Sequence, residues 1–281
     1  MTIGFIGQGY IGKNYADDFE NRGYDVIRYA IEEPYNSNGA KIKNCDIVFI
    51  AVPTPTTPKG FDSSIVESVL SFIGDGATAV IKSTILPGTT KRLQEEHKRI
   101  NILYSPEFLS EVTAVEEAVH PFSNIVGIPF ESDQYRSKAQ QVLDVLPNAS
   151  FSQICSSTEA EIIKYTHNIS AYVHVVIFNM VYDLTCAMGY GWANIGKAIQ
   201  ADSLISNRYA NPVHKSGRGA GGHCFIKDFS AFKEFYEKVA HDTYGSTILE
   251  AVEKKNIQLL AESKKDLDLL EGVYGRAKFS E

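Results

Sequence analysis

The sequence predicts an α/β protein in which a doubly wound parallel sheet is followed by a long central helix and a small helical domain. Short β-rich apolar runs alternate with helical patterns through the first half of the chain. Residues 158–187 contain neither Gly nor Pro and repeat apolar side chains at a helical period. Beyond them only helical patterns follow, at 192–201, 228–240 and 246–263.

The predicted sheet is built from six apolar runs, at 3–6, 26–29, 46–52, 77–83, 100–104 and 124–128. Helical patterns at 64–73 and 89–98 lie between some of them, and this alternation favours a parallel sheet covered on both faces. In such sheets ligands bind beyond the carboxyl ends of the strands. We therefore expect three segments: a sheet domain over 1–155, a helical domain over 156–263, and a short tail over 264–281.

Composition and charge narrow the class of protein. The chain has 281 residues, of which 44% are hydrophobic and 22% charged, as in soluble globular proteins. Its formal charge of −7 argues against nucleic-acid binding, and no uninterrupted apolar run reaches the length of a membrane span. Four separated cysteines without metal-ligand spacing predict reduced thiols, no metal site and a cytoplasmic location: Cys45, Cys155, Cys186 and Cys224.

The turn after the first predicted strand is rich in glycine and opens a helical pattern, as Gly7-Gln8-Gly9-Tyr10-Ile11-Gly12. Glycines there permit a tight turn and close approach of the backbone, and the helix N-terminus favours a pyrophosphate. With a second strand ending about 20 residues later, the motif indicates a Rossmann-type dinucleotide site. We expect it to be formed by Gly7, Gly9, Tyr10, Ile11 and Gly12.

The acidic residue expected at the end of the second strand, to bind the ribose hydroxyls, is less clear. That position holds Ala30, so Glu32 or Glu33 would have to reach the ribose instead. Both glutamates are equally typical of a solvated turn. Because no basic residue follows at once, the pattern favours NAD over NADP.

Three strand-end loops lie on the predicted ligand side, with the sequences AVPTPT, IKSTILPGT and SPEFLSE. The last also reads as an ordinary helix start, with Ser105 as N-cap, Pro106 at the first position and Glu107 in the first turn. On the long helix, Lys164 and Asn168 are four residues apart and share a face. They are either surface residues or a pair that stabilises oxyanion charge on a bound hydroxyl.

These motifs together resemble the UDP-glucose/GDP-mannose dehydrogenase family, whose members use NAD to oxidise a nucleotide sugar at C6 to the uronic acid. Six motifs over about residues 3–260 carry the resemblance, in the family's order: GFIGQGYIG, AVPTPT, IKSTILPGT, SPEFLSE, EAEIIKYTHN and GAGGHCFIKD. The family also implies a homodimer formed through the helix at 158–187 and a nucleotide-sugar substrate, with UDP-glucose to UDP-glucuronate as the first expectation.

The resemblance implies a role for each matching residue. The implied catalytic residues are Cys224 as the thiol, with Lys164, Asn168, Asp228, Thr84 and Glu107. Those implied to contact NAD, beside the glycine turn, are Glu32, Pro53, Thr54, Thr84, Glu111 and Lys227. Those implied to contact the substrate are Glu107, Phe108, Leu109, Lys164, Asn168, Arg208 and Gly221.

The implied reaction needs a thiol because an alcohol becomes an acid in two oxidations, hence two NAD⁺ per product. The thiolate adds to the aldehyde, and the resulting thiohemiacetal is oxidised to a thioester that water cleaves. We expect Gly221 and Gly222 to allow close approach of the backbone to the substrate. We also expect a helix beginning near Asp228 to lower the pKa of Cys224, although Asp228 is equally suited to be a plain N-cap.

Three departures from the family pattern stand out. Only 264–281 follow the helical region, where the family continues with a second α/β domain. Ile226 replaces a proline beside the cysteine, and Ala30 replaces the ribose-binding acid.

Two alternative functions therefore stay open. One is a β-hydroxyacid-type dehydrogenase, which performs one oxidation with Lys164 and Asn168, yields one NADH per product and needs no thiol. The other is a cofactor-binding subunit without catalysis.

Overall fold

A computed structural model describes residues 1–110, 113–215 and 217–276. The chain divides into two compact units. The first comprises Met1–Thr54 and Asp62–Lys164, and the second comprises Pro55–Phe61 and Tyr165–Glu281. The predicted glycine turn thus belongs to the first unit, and Cys224 belongs to the second.

The secondary structure follows the predicted alternation. The strands are β1 (Thr2–Ile6), β2 (Asp25–Tyr29), β3 (Ile47–Ile50), β4 (Thr56–Thr57), β5 (Gly60–Phe61), β6 (Thr78–Ile81), β7 (Asn101–Tyr104), β8 (Ser123–Ile128), β9 (Phe151–Ser156), β10 (Val213–His214) and β11 (Gly217–Arg218). The α-helices are α1 (Tyr10–Asn21), α2 (Gly39–Ile42), α3 (Ser64–Val69), α4 (Thr89–Glu96), α5 (Ala114–Val119), α6 (Asp133–Val145), α7 (Ser157–Ala187), α8 (Trp192–Ala201), α9 (Gly222–Ala240), α10 (Thr243–Glu262) and α11 (Leu267–Tyr274).

The first unit is built on a sheet with the strand order β2-β1-β3-β6-β7-β8-β9. Neighbouring strands are parallel except β7 and β8, which pair antiparallel through Tyr104 and Gly127. The predicted doubly wound, Rossmann-type α/β fold is confirmed, with one antiparallel pair in an otherwise parallel sheet. Strand β9 is not among the predicted strands, because its side chains are mostly exposed and it lacks the apolar run of a central strand.

The core of the first unit forms where apolar strands meet the face of α1. The ring of Phe5 stacks on Phe49 at 5.1 Å between centroids and meets Phe19 edge-on at 5.3 Å. All three rings are at most 1% exposed. Because β1 and β3 are buried over most of their length, their carboxyl ends are held rigidly where the ligand-side loops begin.

The second unit packs α7 against α9 and α10. Tyr172 of α7 stacks on Phe229 of α9 with ring centroids 3.9 Å apart. A separate core joins α9, α10 and α11 through Ile226, Ile257, Leu260, Leu270 and Val273. The segment expected to be a tail therefore contains a helix, α11, whose apolar side chains complete a core.

Helix α7 is long and apolar enough to cross a membrane, since its most apolar 18-residue window has a mean hydropathy of 1.4. The sequence shows no uninterrupted apolar run of this length, because polar residues interrupt α7. A third of its most apolar window is buried inside the protein, and the helix carries the buried polar side chains of Lys164, Asn168 and Asn179. Core helices of soluble proteins can be equally long and apolar.

Candidate active site

The glycine turn between β1 and α1 has the shape that a pyrophosphate requires. Gly7 has a φ of +90°, and a Cβ there would lie 2.3 Å from the carbonyl oxygen of Ala51. A Cβ on Gly12 would lie 1.9 Å from the carbonyl oxygen of Gly7, whereas a Cβ on Gly9 would meet no atom within 4 Å. Gly9 is also the N-cap of α1, which has no side-chain cap. The open approach to an uncapped helix N-terminus therefore fits the pyrophosphate of NAD, beside Tyr10 and Ile11 at the start of the helix.

The predicted ribose-binding position at the end of β2 is occupied by the buried Ala30. Glu32 and Glu33 follow as exposed residues, and the carboxylate of Glu33 accepts a hydrogen bond from Asn36 Nδ2 at 2.9 Å. Arg28 lies on β2, but its guanidinium is paired with Asp17 and Glu20, each at 2.7 Å. The positive charge of Arg28 is therefore neutralised by these two carboxylates. A contact between Glu32 and the NAD ribose stays a prediction.

The carboxyl ends of β3 and β6 are tied together by hydroxyl groups. Thr54 Oγ1 donates to the carbonyl oxygen of Thr84 at 2.8 Å, and both residues are buried. The hydroxyl of Ser83 accepts from the amide of Val52 at 3.0 Å and donates to the carbonyl of the same residue at 2.7 Å. Pro53, between these contacts, is exposed. The structure therefore brings Thr54 and Thr84 together.

Lys164 and Glu107 form a buried ion pair in the first unit. Lys164 Nζ donates to Glu107 Oε1 at 2.9 Å and to the carbonyl oxygen of Glu107 at 2.7 Å. Their side chains are 3% and 4% exposed, so the alternative of a surface lysine is wrong. The helix start read at Ser105 is wrong too, because 105–110 are not helical and Glu107 Oε2 accepts from the amide of Leu109 at 2.8 Å.

Phe108 and Leu109, the two residues after Glu107, contact different parts of the first unit. The ring of Phe108 lies 5.7 Å from Lys164 Nζ, within the range of a cation–π contact. Leu109 packs against the core of the first unit. Of these two side chains, it is the Phe108 ring that has a cation–π contact with the Lys164 ammonium.

A second buried lysine in this unit was not singled out from the sequence. Lys82 is 2% exposed, and its ammonium lies 4.4 Å from the ring centroid of Tyr15 and 3.3 Å from the carbonyl oxygen of Ser105. Burial lowers the pKa of Lys82 to about 8, with Glu107 opposing the shift and Lys164 adding to it. The available sequence signal is a lysine directly after the apolar run Ala79-Val80-Ile81.

Glu161 is a further buried polar residue that the sequence does not single out. It is fully buried on α7, where its carboxylate accepts from the amide of Gly88 at 2.5 Å, the amide of Thr90 at 2.9 Å and the hydroxyl of Thr90 at 2.6 Å. It thereby caps α4, at the end of the loop that begins with Thr84. Burial raises the pKa of Glu161 to about 7, against the lowering effect of these hydrogen bonds.

Glu161 should make the stability of the protein depend on pH. Its pKa is 4.5 in a model peptide and about 7 when folded, so between these values the folded state binds more protons than the unfolded chain. The free energy of unfolding should therefore fall as pH rises from about 4.5 to 7, by about 3 kcal/mol from this group.

We expect Glu161→Gln to remove this contribution, because the amide does not titrate. Urea unfolding at pH 5 and pH 8 measures it, with Glu95→Gln, an exposed glutamate on α4, as the control. If the free energy of unfolding fell by the same amount from pH 5 to pH 8 in wild type and in Glu161→Gln, the assignment would be contradicted.

In the second unit the structure brings Asn168 and Asp228 together. Asn168 Nδ2 donates to Asp228 Oδ2 at 2.6 Å, and Asp228 is 1% exposed. Lys227 Nζ donates to the other carboxylate oxygen at 2.5 Å. The reading of Asp228 as an N-cap is wrong, because α9 begins at Gly222 and Asp228 lies in its second turn.

Cys224 lies in the first turn of α9, with Gly221 as the N-cap. The helix therefore begins six residues earlier than expected, and the thiol is part of it rather than ahead of it. Cys224 is exposed, as is Cys186, whereas burial raises the pKa of Cys45 and Cys155 to about 11. At neutral pH those two thiols are poor sources of thiolate.

The remaining predicted residues are placed as follows. Arg208 lies exposed in a short 3₁₀ helix, Asn207–Tyr209, with its guanidinium 5.9 Å from the ring of Tyr209. Glu111 lies outside the described residues. Within 1–110, 113–215 and 217–276, no group of three or more His, Cys, Asp or Glu side chains is arranged to hold a metal ion.

A Rossmann-type sheet whose glycine turn leaves room at a helix N-terminus is typical of a dinucleotide-binding protein, and comparison with known proteins identifies it as an NAD-dependent dehydrogenase and gives the family. The family model for the NAD-binding domain of the UDP-glucose/GDP-mannose dehydrogenases matches residues 35–144, and the model for their central domain matches residues 158–258. The chain belongs to the UDP-glucose/GDP-mannose dehydrogenase family, and its cofactor is NAD.

One curated protein and two solved structures illustrate what the chain is similar to. A UDP-glucose 6-dehydrogenase of Streptococcus pneumoniae is 26% identical over 88% of this chain and 72% of its own length. A UDP-glucose dehydrogenase structure from Pyrobaculum islandicum has a TM-score of 0.77 at 24% identity, over 93% of this chain and 70% of that one. The fold is also similar to a 3-hydroxyisobutyrate dehydrogenase of Mycobacterium tuberculosis, with a TM-score of 0.72 at 14% identity over 97% of this chain and 98% of that one.

Proposed function

We propose that the protein oxidises the primary C6 alcohol of a nucleotide sugar to the carboxylate in two NAD-dependent steps, with UDP-glucose as the first candidate substrate. The observation that carries this proposal is the exposed Cys224 on the first turn of α9, one helix turn from the buried Asp228–Asn168 pair. A single oxidation of an alcohol has no use for a thiol, whereas an aldehyde must be captured before it can be oxidised again.

The first step requires removal of a proton from the alcohol. Lys164 and Asn168 are one turn apart on α7, and they would stabilise the negative charge that develops on the sugar oxygen. Glu107 holds the ammonium of Lys164 in place through two contacts. NAD, when bound, accepts the hydride in each of the two oxidations.

The later steps belong to the thiol. The sulfur of Cys224 adds to the aldehyde carbon, and the oxygen takes a proton to give a thiohemiacetal. Loss of a hydride and a proton gives the thioester, and water then releases the carboxylic acid and restores the thiol. For the whole reaction, one alcohol, two NAD⁺ and one water give one carboxylate, two NADH and three protons. Asp228, Thr84 and Glu107 are the residues proposed to position that water.

Substrate contacts are proposed for Phe108, Leu109, Arg208 and Gly221, and cofactor contacts for Glu32, Pro53, Thr54, Glu111 and Lys227. A homodimer through α7 is supported by apolar side chains that α7 exposes: Ile177, Met180, Val181 and Leu184. A cytoplasmic location is supported by the thiols, since no disulfide joins the four cysteines, all of which are described.

The proposal is tested by following NADH absorbance with UDP-glucose, GDP-mannose, UDP-N-acetylhexosamines and simple β-hydroxyacids. We expect reduction of NAD with a nucleotide sugar and none with the hydroxyacids. Reduction with hydroxyacids alone would instead support the single-step dehydrogenase. Reduction with no compound would support a binding subunit without catalysis.

A further inference from the structure

The glycine loop before Cys224 is held almost residue by residue by the end of α10 and the turn that follows it. The backbone amide and carbonyl of Ala220 bond to the side chain of Asn256 at 2.7 and 2.9 Å. The amide of Arg218 donates to Ser263 Oγ at 3.0 Å. Neither partner was singled out from the sequence, because each lies more than 35 residues away along the chain.

Two charged residues complete these contacts. Lys265 Nζ donates to the carbonyl oxygen of Gly219 at 2.9 Å, and Asp266 Oδ2 accepts from the amide of Gly222 at 2.7 Å. Gly222 is the first residue of α9, so Asp266 supplies the cap that the N-cap residue Gly221 lacks. A Cβ on Gly221 would lie only 2.0 Å from the same carboxylate oxygen, which shows how closely Asp266 approaches the loop.

The turn that carries these two side chains is itself firmly placed. Lys264 and Asp266 both have left-handed backbone conformations, with φ values of 55° and 53°. Such conformations are costly for residues other than glycine, and they persist where surrounding contacts impose them. Asp266 is also the N-cap of α11, whose Leu270 packs in the same core as Ile226 of α9. Asp266 is thus held both by its hydrogen bond to the Gly222 amide and by its position at the start of α11.

We propose that Asp266 and Lys265 are positioning residues for Cys224: together they hold the glycine loop and the first turn of α9 in the conformation that presents the thiol. This inference deepens the function proposed above and rests on it, because it assumes that Cys224 is the nucleophile. Asp266 acts through the Gly222 amide and Lys265 through the Gly219 carbonyl, so neither is assigned a contact with substrate or cofactor.

The test compares Asp266→Ala, Asp266→Asn and Asp268→Ala. Asparagine keeps an oxygen that can accept from Gly222, whereas alanine keeps none. Asp268 is exposed, two residues further on, and provides the control. Amide hydrogen exchange is measured for the peptide over 217–224, and kcat and KM are measured with the nucleotide sugar that wild type oxidises. Lys265→Met is a second variant with the same readouts.

We expect Asp266→Ala to speed exchange in this peptide by about tenfold and to lower kcat by about 10 to 100-fold, with the KM for NAD unchanged. Asp266→Asn should recover most of both losses, and Asp268→Ala should resemble wild type. Equal exchange in Asp266→Ala and Asp268→Ala would overturn the proposal, as would faster exchange with unchanged kcat. If wild type oxidises no nucleotide sugar, the proposed function fails, and the exchange comparison still decides whether Asp266 holds the loop.

Discussion

Cys224→Ser is expected to abolish formation of the acid while leaving NAD binding intact. A serine hydroxyl is not ionised near neutral pH, so it lacks the nucleophile that captures the aldehyde. We expect the rate of acid formation to fall by at least about 10³-fold. Serine is close to cysteine in size and Cys224 is not among the residues expected to contact NAD, so the dissociation constant for NAD should not change. The acid is measured by chromatography and NAD binding by calorimetry.

The matched control for this variant is Cys186→Ser, which replaces another exposed cysteine of the second unit. It should retain wild-type activity, which excludes a general effect of removing a thiol. Full production of acid by Cys224→Ser would remove the thiol from the mechanism.

Lys164→Met is expected to slow the first oxidation by about 10²–10³-fold, the effect of losing one donor to a developing oxyanion. Methionine keeps much of the volume of the lysine side chain but not the charge. Because the substitution leaves the carboxylate of Glu107 buried without its cation, some loss of stability is also expected. The rate is measured as NADH formation in a single turnover with saturating nucleotide sugar and NAD.

Stability and catalysis are separated by the double variant Glu107→Gln with Lys164→Met, which removes both charges. It should regain stability relative to Lys164→Met but remain slow. The exposed Lys254→Met on α10 serves as the surface control. A wild-type rate in Lys164→Met would exclude Lys164 from the chemistry.

The parts of the fold that could be predicted from the sequence are those fixed by local patterns. Helix α8 has the predicted bounds, Trp192–Ala201, and α7 begins one residue before its prediction, because unbroken apolar periodicity specifies a helix on its own. The glycine turn could also be predicted, since Gly7 and Gly12 are positions where a Cβ cannot be accommodated. Among the strands of the sheet, β3 is marked most clearly, because Ile47–Ile50 is a continuous apolar run.

The features that escaped prediction depend on contacts between distant residues. The early start of α9 depends on Asp266, which caps it from 44 positions further along the chain. Glu161 could not be singled out because, in the sequence, it is an ordinary helical glutamate. Only the fold brings it to the amides of Gly88 and Thr90. The burial of Lys164 likewise follows from its pairing with Glu107, 57 residues away.

A four-electron oxidation through Cys224 fixes the ratio of NADH to product, which can be counted. The nucleotide sugar that reduces NAD fastest is converted to completion, and NADH absorbance is compared with the amount of sugar consumed. Two NADH are expected for each sugar consumed, with the uronic acid as the product. One NADH for each sugar, with an aldehyde or ketone as the final product, would contradict a four-electron oxidation.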